Sequence, residues 1–210
     1  MKIIKKFSRV IISSFLIILF YCTNAQLSGT YSIGTSGTYI NFNAAVTALT
    51  TSGVSGPVIF NVANGIYTEQ VTIPNILGTS ATNTITFKSA SGINTDVVLT
   101  YAATSSISPW TLCFDSAVYV IFKNMSIKST GSSYGITVYF KSEANNNEIS
   151  GNIIETLALF SSSFTAVYSA YSKNEYNKIS DNVIKGGRYG INFNSLDTTN
   201  LSMEMYLKII

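Results

Sequence analysis

The chain contains no histidine and only two cysteines among its 210 residues. Without an imidazole, catalytic triads and histidine acid–base chemistry are excluded, and metal-dependent chemistry is disfavoured because histidine is the commonest metal ligand. Charged residues make up 11% of the chain, against about 25% in an average soluble protein. Serine, threonine and asparagine supply the polarity instead. This composition suits stacked strands that face an extracellular medium.

The N-terminus has the three parts of a secretory signal peptide. Four basic residues within the first nine precede an 11-residue apolar run at 10–20, and Thr23-Asn24-Ala25 provides a small-x-small cleavage site. The apolar run is too short to span a bilayer. A lipoprotein anchor at Cys22 is the alternative, although the bulky residues just before that cysteine argue against it. We therefore expect export, cleavage after Ala25 and no membrane span in the mature chain.

Removal of residues 1–25 changes both the charge and the cysteine content. Nine basic and ten acidic side chains remain, so the net charge falls from +3 to −1. A mature chain close to neutrality gives no indication of nucleic acid or an anionic membrane as a partner. Cys113 is left without an intrachain partner, so the mature chain must take its stability from packing.

A short strand pattern returns along the chain at intervals typical of solenoid repeats. Its copies begin at Ile85, Leu112, Val138 and Ile191, and each has a phenylalanine two residues later. A weaker copy, Ala170-Tyr171-Ser172, lies between the last two, and the steps from aromatic to aromatic are 27, 26, 31 and 22 residues. Each unit of a solenoid buries its apolar face only against its neighbours.

Alternation within this strand assigns its two faces. Side chains two residues apart in a strand point the same way, so we expect the phenylalanines to stack inward on one another. The next residue of three successive copies is then outward. These residues, Lys88, Asp115 and Lys141, are expected to form a ladder of alternating charge that sets the register.

A second repeat runs beside the first. The segment 147–154 reappears 30 residues later as 177–184, and the segment 123–127 is an earlier member by the same pattern. Asn152 and Asn182 occupy the bend between consecutive strands. We expect a left-handed φ at these asparagines and side chains that hydrogen-bond along the stack.

Residues 42–52 have helical rather than strand periodicity. Asn41 or Asn43 is available as the N-cap, and Gly53 follows the last periodic residue. Four apolar residues share one face of the helix. They are Phe42, Ala45, Val46 and Leu49. Because a solenoid exposes its first coil, we interpret this helix as an N-terminal cap.

Residues 61–73 contain the pattern Gly-x-Tyr-x-Glu-x-Val-x-Ile, which begins at Gly65 and ends at Ile73. It resembles the first-coil segment of pectin-methylesterase-like and other right-handed parallel β-helices. The Asn-x-Ile-Ser-x-Asn-x-Ile repeats resemble the generic repeat of the pectin lyase-like superfamily, and residues 29–195 are similar to large secreted β-helix proteins of Bacteroidetes-type bacteria. The resemblance implies an all-β fold, a right-handed parallel β-helix (solenoid) with a short N-terminal capping helix. It specifies little chemistry, because β-helices host lyases, esterases, hydrolases and adhesins alike.

The chain is accordingly divided into four segments. Residues 1–25 are the signal peptide, 26–56 are the N-terminal strand and capping helix, and 57–196 are the β-helix coils. Residues 197–210 form a tail that departs from the repeat and holds two of the four methionines. Because an uncapped β-helix leaves an open edge, we interpret this tail as the result of a truncation or frameshift near residue 197.

The resemblance raises the question of pectin-directed catalysis. Pectin-methylesterase-like chemistry needs two aspartates and an arginine on the central coils, and the family's Gln-Asp, Asp-Phe-x-Phe-Gly and Gly-Arg-Pro-Trp motifs have no counterpart here. Glu69 belongs to the shared first-coil pattern and is expected to close a turn. A polysaccharide lyase would use a lysine or arginine base near Ca²⁺ held by carboxylates. Arg188 or Lys185 near Asp181 are the weak candidates for such a site.

Outward-facing tyrosines are candidates for stacking against sugar rings. They are Tyr139, Tyr119, Tyr168, Tyr176 and Tyr189. The alternative interpretation is ordinary strand composition, because tyrosine suits half-buried strands. Trp110 is expected to pack at the Ser108-Pro109 turn.

Two functions are compatible with these observations. The first is a secreted or outer-cell-surface β-helix protein without catalysis, which serves in adhesion or polysaccharide contact and needs no cofactor or metal. The alternative is a pectin-directed polysaccharide lyase or carbohydrate esterase, with Ca²⁺ required only in the case of a lyase. In both cases the expected partner is an extracellular polysaccharide, not nucleic acid.

Overall fold

The structure is a computed structural model that describes residues 25–159, 161, 163–169, 172–194 and 204–206, the last three through their backbone. Residues 1–24 of the signal-peptide segment and all of 197–210 except 204–206 lie outside the described residues. The four-segment division of the chain, including export and truncation, therefore stays a prediction.

The described chain forms one helix, α1 (Phe42–Ser52), and strands that divide among three sheets. The first sheet has seven strands, which are β1 (Leu27–Ile33), β2 (Val54–Val62), β5 (Ile85–Ser89), β8 (Val120–Lys123), β11 (Glu148–Ser150), β14 (Lys178–Ser180) and β17 (Glu204–Tyr206). The second sheet has five strands, which are β3 (Gly65–Thr68), β6 (Val97–Tyr101), β9 (Ser126–Ser129), β12 (Ile153–Glu155) and β15 (Val183–Lys185). The third sheet also has five strands, which are β4 (Val71–Ile73), β7 (Trp110–Asp115), β10 (Gly135–Lys141), β13 (Phe164–Ser169) and β16 (Tyr189–Phe193).

Each strand pairs in parallel with the equivalent strand of the next coil. The chain passes from the first sheet to the second and then to the third before it returns, so one circuit makes one coil. The fold is thus an all-β parallel β-solenoid of about five turns, as the repeats predicted. The strand β17, from the segment interpreted as an aberrant tail, pairs in parallel with β14.

The helix α1 forms over the residues that the periodicity indicated. Asn41 is the N-cap, and its side-chain oxygen accepts a hydrogen bond from the Ala44 amide at 2.9 Å. Gly53 ends the helix with a φ of 67°, and its N–H donates to the Leu49 carbonyl at 2.8 Å. The four apolar residues of the predicted face are all buried. That α1 caps the first coil, and that the coils are right-handed, stay predictions.

The core contains two separate stacks of phenylalanines, one for each of two sheets. Phe87 stacks between Phe60 and Phe122 in the first sheet, with ring centroids 4.7 and 4.6 Å apart. Phe114 stacks on Phe140 in the third sheet at 4.7 Å. The sequence analysis placed Phe87 and Phe114 in one stack, which is wrong. Any strand with one buried face has apolar or aromatic residues two positions apart. The pattern therefore does not show to which sheet a strand belongs.

This correction changes the expected charge ladder. Lys88 lies in the first sheet, where its register partners are Asn61 and Lys123, and it has no pairing with Asp115. Asp115 and Lys141 are register partners in the third sheet and form an ion pair of 3.0 Å. Of the expected ladder of alternating charge, the structure contains the Asp115–Lys141 pair in the third sheet, and Lys88 is not part of it.

The weaker copy of the strand was also misplaced. The strand that follows β10 in the third sheet is β13, in which Val167 pairs with Val138 and Ser169 pairs with Phe140. Because serine occupies the position of the aromatic residue, a search for aromatic residues passes over this strand. Of the copy proposed from the sequence, Ala170 and Tyr171 lie outside the described residues.

The asparagine repeat has the predicted register, and its asparagines stack. Asn152 is fully buried, donates from Nδ2 to the Phe122 carbonyl at 2.9 Å and accepts from the Met125 amide at 3.0 Å. Its own backbone N–H donates to Oδ1 of Asn182 at 2.9 Å. Each asparagine thereby satisfies backbone groups of the preceding coil, which burial would otherwise leave unpaired.

The left-handed turn residue is the one before each asparagine, which corrects the expectation for Asn152 and Asn182. Gly151 has a φ of 68° and Asp181 a φ of 57°. Asn124 holds the equivalent position one coil earlier, with a φ of 56°. The side chain and backbone N–H of each asparagine are engaged in hydrogen bonds along the stack, and the residue before it adopts the left-handed conformation of the turn.

Candidate functional site

The outer face of the third sheet carries a column of side chains that the strand register places one above another. Cys113 on β7 pairs with Tyr139 on β10, and Tyr139 pairs with Tyr168 on β13. These residues face outward because the strands alternate and their neighbours Val138 and Phe140 lie in the core.

Three aromatic rings form a continuous row on this outer face. Trp110 lies 5.5 Å from Tyr139, and Tyr139 lies 5.2 Å from Tyr168, measured between ring centroids. The Trp110 indole N–H donates to Oγ1 of Thr72 at 3.1 Å, and Nδ2 of Asn194 donates to the Tyr168 hydroxyl at 3.1 Å. We refer to Trp110, Tyr139 and Tyr168 as the aromatic face.

The aromatic face rests on a small second core outside the main one. Cys113 is fully buried beneath it, and Ile136 and Trp110 are each 8% exposed. Gln70 donates from Nε2 to the carbonyls of Ser108 and Trp110, both at 2.9 Å, and thereby holds the start of β7. Burial raises the pKa of the Cys113 thiol, an effect that Lys141 opposes and Asp115 reinforces. The cysteine is therefore a protonated packing residue, not a nucleophile.

Charge at the edge of the aromatic face is neutralised internally. Nζ of Lys141 lies 3.0 Å from Oδ2 of Asp115 and 5.1 Å from the centroid of the Trp110 ring. Burial raises the pKa of Tyr139 to about 12, with smaller contributions from Tyr168, Cys113 and Asp115. The phenol therefore stays protonated at physiological pH and is available as a hydrogen-bond donor.

The remaining tyrosine candidates lie elsewhere. Tyr119 and Tyr176 are in the turns that lead into the first sheet, each with a left-handed φ, of 58° and 56°. Tyr189 begins β16, where its register partner is Thr165, and its ring lies 5.4 Å from the Arg188 guanidinium. The structure brings together Tyr139 and Tyr168 alone among the five candidates. It adds Trp110, which the sequence analysis assigned to the preceding turn and which pairs in register with Ile136.

The catalytic candidates are not assembled into a site. Asp181 is an exposed turn residue, and Lys185 is the register partner of Glu155 on the second sheet. Arg188 is exposed and faces the Tyr189 ring. Among the described side chains, no ion pair joins Asp181 to either cation.

Glu69 has a structural role at the start of the helix. Its two carboxylate oxygens accept hydrogen bonds from the amides of Phe42 at 3.1 Å and Asn43 at 2.9 Å. These amides belong to the first turn of α1, where a carboxylate is favoured by the helix dipole. Tyr67 packs edge-on against Phe42 at 5.2 Å and donates from its hydroxyl to the Ala63 carbonyl at 2.9 Å. The first-coil pattern therefore anchors the helix, where the sequence analysis expected Glu69 to close a turn.

Within the described residues, no three histidine, cysteine, aspartate or glutamate side chains come together as a metal site. The carboxylate cluster that a Ca²⁺-dependent lyase needs is therefore not assembled in that part of the chain. None of the described helical segments has the length and apolar character needed to cross a bilayer.

Comparison with solved structures identifies the fold. The pectin methylesterase from Aspergillus niger in its deglycosylated form is similar at 15% identity and a TM-score of 0.50, over 88% of this chain and 73% of that one. The same enzyme with an N-acetylglucosamine stub at one asparagine is similar at 16% identity, with the same TM-score and coverage. No family model matches the sequence, and no curated protein is significantly similar to it.

These findings define the class of protein. The chain is a parallel β-helix whose fold is similar to that of the pectin methylesterase from Aspergillus niger. At this level of identity the likeness extends to the fold and not to individual site residues. The resemblance to proteins of Bacteroidetes-type bacteria receives no support from the comparisons.

Proposed function

We propose that the protein is a secreted or cell-surface β-helix that contacts an extracellular polysaccharide through its aromatic face, without catalysis. The observation that carries the proposal is the row of Trp110, Tyr139 and Tyr168, whose rings follow one another on successive coils at 5.5 and 5.2 Å. Aromatic side chains combine a large apolar surface with a polar tip, which suits them to surfaces that bind ligands with both characters. Sugar rings are ligands of this kind.

The geometry favours a glycan chain that runs along the solenoid axis. Neighbouring coils lie about 4.8 Å apart, a spacing comparable with the length of one sugar ring. Successive sugars would then meet Tyr139 and Tyr168, the two partly exposed rings of the row, while Trp110, which is 8% exposed, packs beside Tyr139 and supports it. Polar groups flank the row for contact with hydroxyls, among them the Asp115–Lys141 pair and the amide of Asn194.

The electrostatics of the aromatic face favour an uncharged or weakly charged sugar unit. Lys141 is neutralised by Asp115, and the phenol of Tyr139 stays protonated because burial raises its pKa to about 12. Binding through this face is therefore expected to vary little with pH or salt across the physiological range.

Export and the finer features of the fold belong to the same proposal. The signal-peptide pattern supports an extracellular location. The proposed solenoid is right-handed, and α1 covers its first coil. The contacts of α1 with the first coil support the capping position, because Phe42 packs against Tyr67 at 5.2 Å and its amide donates to Glu69 at 3.1 Å.

A pectin-directed lyase or esterase is the alternative, and the similarity of fold to a pectin methylesterase is the observation in its favour. Arg188, Lys185 and Asp181 would have to supply its chemistry. All three are exposed, and among the described side chains no ion pair joins Asp181 to either cation. Turnover of pectin that disappears in an Arg188→Ala variant would establish the enzyme and overturn the non-catalytic proposal.

The test is a binding assay on the exported protein with a panel of plant and microbial polysaccharides. Tyr139→Ala and Tyr168→Ala are expected to weaken retention about threefold to tenfold, which corresponds to one lost aromatic contact. Tyr101→Ala is the matched control, because Tyr101 ends β6 in the second sheet. Thermal unfolding of each variant identifies any loss that is due to misfolding.

Two results would contradict the proposal. One is the absence of binding to every polysaccharide in the panel. The other is retention that falls equally in Tyr101→Ala and in the two variants of the aromatic face.

A further inference from the structure

The outer face of the first sheet carries two lysines stacked directly on each other. Lys88 on β5 and Lys123 on β8 are register partners on adjacent coils. Both side chains point outward, because Phe87 and Phe122 beside them are buried in the core, and both are partly exposed. Register partners in adjacent strands have neighbouring side chains, so the Cβ atoms of the two lysines lie one coil spacing apart, about 4.8 Å, and both ammonium groups can reach the same anionic group.

This arrangement departs from the rule that the other strand lysines follow. Lys128 pairs with Glu155 at 3.3 Å, and Lys178 pairs with Glu148 at 3.6 Å. Lys141 pairs with Asp115 in the same way. In each of these cases the coil next to a lysine supplies a carboxylate, whereas the coil next to Lys88 supplies a second lysine.

No register partner of the two lysines carries a neutralising charge. Asn61 continues the column on one side and Ser150 on the other. Glu148 lies diagonally to Lys123, and its carboxylate is already held by the Ser150 hydroxyl at 2.7 Å and by Lys178. Within the described residues, neither Lys88 nor Lys123 forms an ion pair. Like charges directly opposite each other destabilise a sheet, so an anion between them would remove a cost that the fold otherwise bears.

We propose that Lys88 and Lys123 form a binding site for the anionic groups of an acidic polysaccharide, carboxylate or sulfate, that lies along the outer face of the first sheet. The column supplies two cations with hydroxyl and amide groups at either end, from Ser150 and Asn61. Ammonium groups on flexible stems bind anions as point charges and adapt to either group. A chain that follows the solenoid axis meets both lysines in succession. This site is on a different sheet from the aromatic face and does not depend on it.

The test measures retention of the exported protein on polygalacturonate, on dextran sulfate and on uncharged dextran. Lys88→Gln and Lys123→Gln are each expected to weaken retention on an acidic polymer, and together by about twofold to thirtyfold, the range for two exposed charge pairs. Salt should weaken the binding of the unmodified protein, because exposed charges are screened over about 8 Å at physiological ionic strength. The two polymers distinguish carboxylate from sulfate as the preferred group. Lys173→Gln is the matched control, because Lys173 is exposed and outside the column.

A charge reversal separates the site from the fold. Lys88→Glu replaces the repulsive pair with an attractive one, so the variant should unfold at the same temperature as the unmodified protein or higher. Its retention on the acidic polymer should nevertheless be lost. This combination cannot arise from misfolding.

Several outcomes would overturn the proposal. Equal loss of retention in Lys173→Gln would indicate an effect of net charge alone. Equal retention on uncharged dextran, or unchanged retention in Lys88→Glu, would exclude the lysine pair as an anion site. Stronger binding to duplex DNA or to anionic lipid vesicles would assign the pair to another class of ligand. The Tyr139→Ala variant should keep its salt-sensitive retention, so failure of the aromatic face and failure of the lysine pair are distinguishable.

Discussion

The first and third sheets have similar inner faces and very different outer ones. Inside, Phe87 and Phe122 stack at 4.6 Å in the first sheet, and Phe114 and Phe140 stack at 4.7 Å in the third. Outside, the third sheet supports a second apolar layer around Cys113, whereas the first sheet presents polar and cationic side chains to solvent.

The difference between the two sheets shows which positions the fold constrains. A solenoid needs each coil to match its neighbours on the inward face, because that is the surface buried between coils. The outward positions carry no such constraint, and there the two sheets diverge into an aromatic face and a lysine column. Candidate binding residues on this protein are therefore found by comparing the outer faces, not the inner ones.

The largest effect is expected when the packing of the two inner faces is disrupted by substitution of a stacked phenylalanine in each sheet. Phe87→Ala in the first sheet and Phe140→Ala in the third should each lower the free energy of unfolding by about 3–5 kcal/mol, because each leaves a cavity in a stack of fully buried rings. Chemical denaturation monitored by far-UV circular dichroism measures both values. Thr86→Ala, on the outer face beside Phe87, is the control and should change little. A difference of more than about 2 kcal/mol between the two phenylalanine variants would show that the inner faces are not equivalent.

A smaller effect is expected where the buried asparagines join the coils. Asn152→Ala leaves the Phe122 carbonyl and the Met125 amide without their partner, and each unsatisfied buried group costs about 1–3 kcal/mol. The variant should therefore be destabilised by about 2–6 kcal/mol, with the lower value expected if water reaches the site. Asn75→Ala, at an exposed position, is the control. Equal unfolding midpoints for the two variants would rule out the proposed role of the ladder.

The smallest effect concerns pH and the outer face of the third sheet. Burial raises the pKa of Tyr139 from its ordinary value of 10.0 to about 12. Below pH 10 the phenol is protonated in both the folded and the unfolded state, so its contribution to stability is complete. Between about pH 10 and 12 the unfolded state releases the proton first, and stability should fall as the pH rises.

Denaturant titrations at pH 9, 10 and 11 measure this loss. Tyr139→Phe has no ionisable hydroxyl at this position and should lose less stability than the unmodified protein over the same interval. Parallel pH profiles of the two proteins would mean that the aromatic face is open to water, and it would then resemble the outer face of the first sheet.

Repeats in the sequence predicted the architecture because they encode contacts between neighbouring coils. The match between 147–154 and 177–184 placed Ile149 opposite Ile179 and Asn152 beside Asn182, as the structure has them. Two near-identical segments on adjacent coils can pair in only one register, because a shift by one residue would turn the buried side chains outward. The helix could also be predicted from the sequence, because its four buried residues follow the helical period.

The assignment of strands to sheets was not available from the same signals. Ile85-Thr86-Phe87 and Leu112-Cys113-Phe114 follow one pattern, yet they lie in different sheets. The number of residues between consecutive strands varies from coil to coil. The spacing between two strands in the sequence therefore does not show whether they belong to the same sheet. The lysine column escaped prediction for this reason. Of the aromatic face, Tyr139 and Tyr168 were among the candidates from the sequence, and the place of Trp110 beside them was missed.

By itself, the sequence determined that the chain is a parallel solenoid with one short helix, because period-2 alternation and the repeat length are local properties of each coil. The tertiary structure alone decided which outward residues become neighbours. It placed Trp110 and Tyr168 on either side of Tyr139, and it placed Lys88 on Lys123. Such neighbours are about a full coil apart in the chain and meet only after the coil has closed, so their proximity depends on the length of every turn between them.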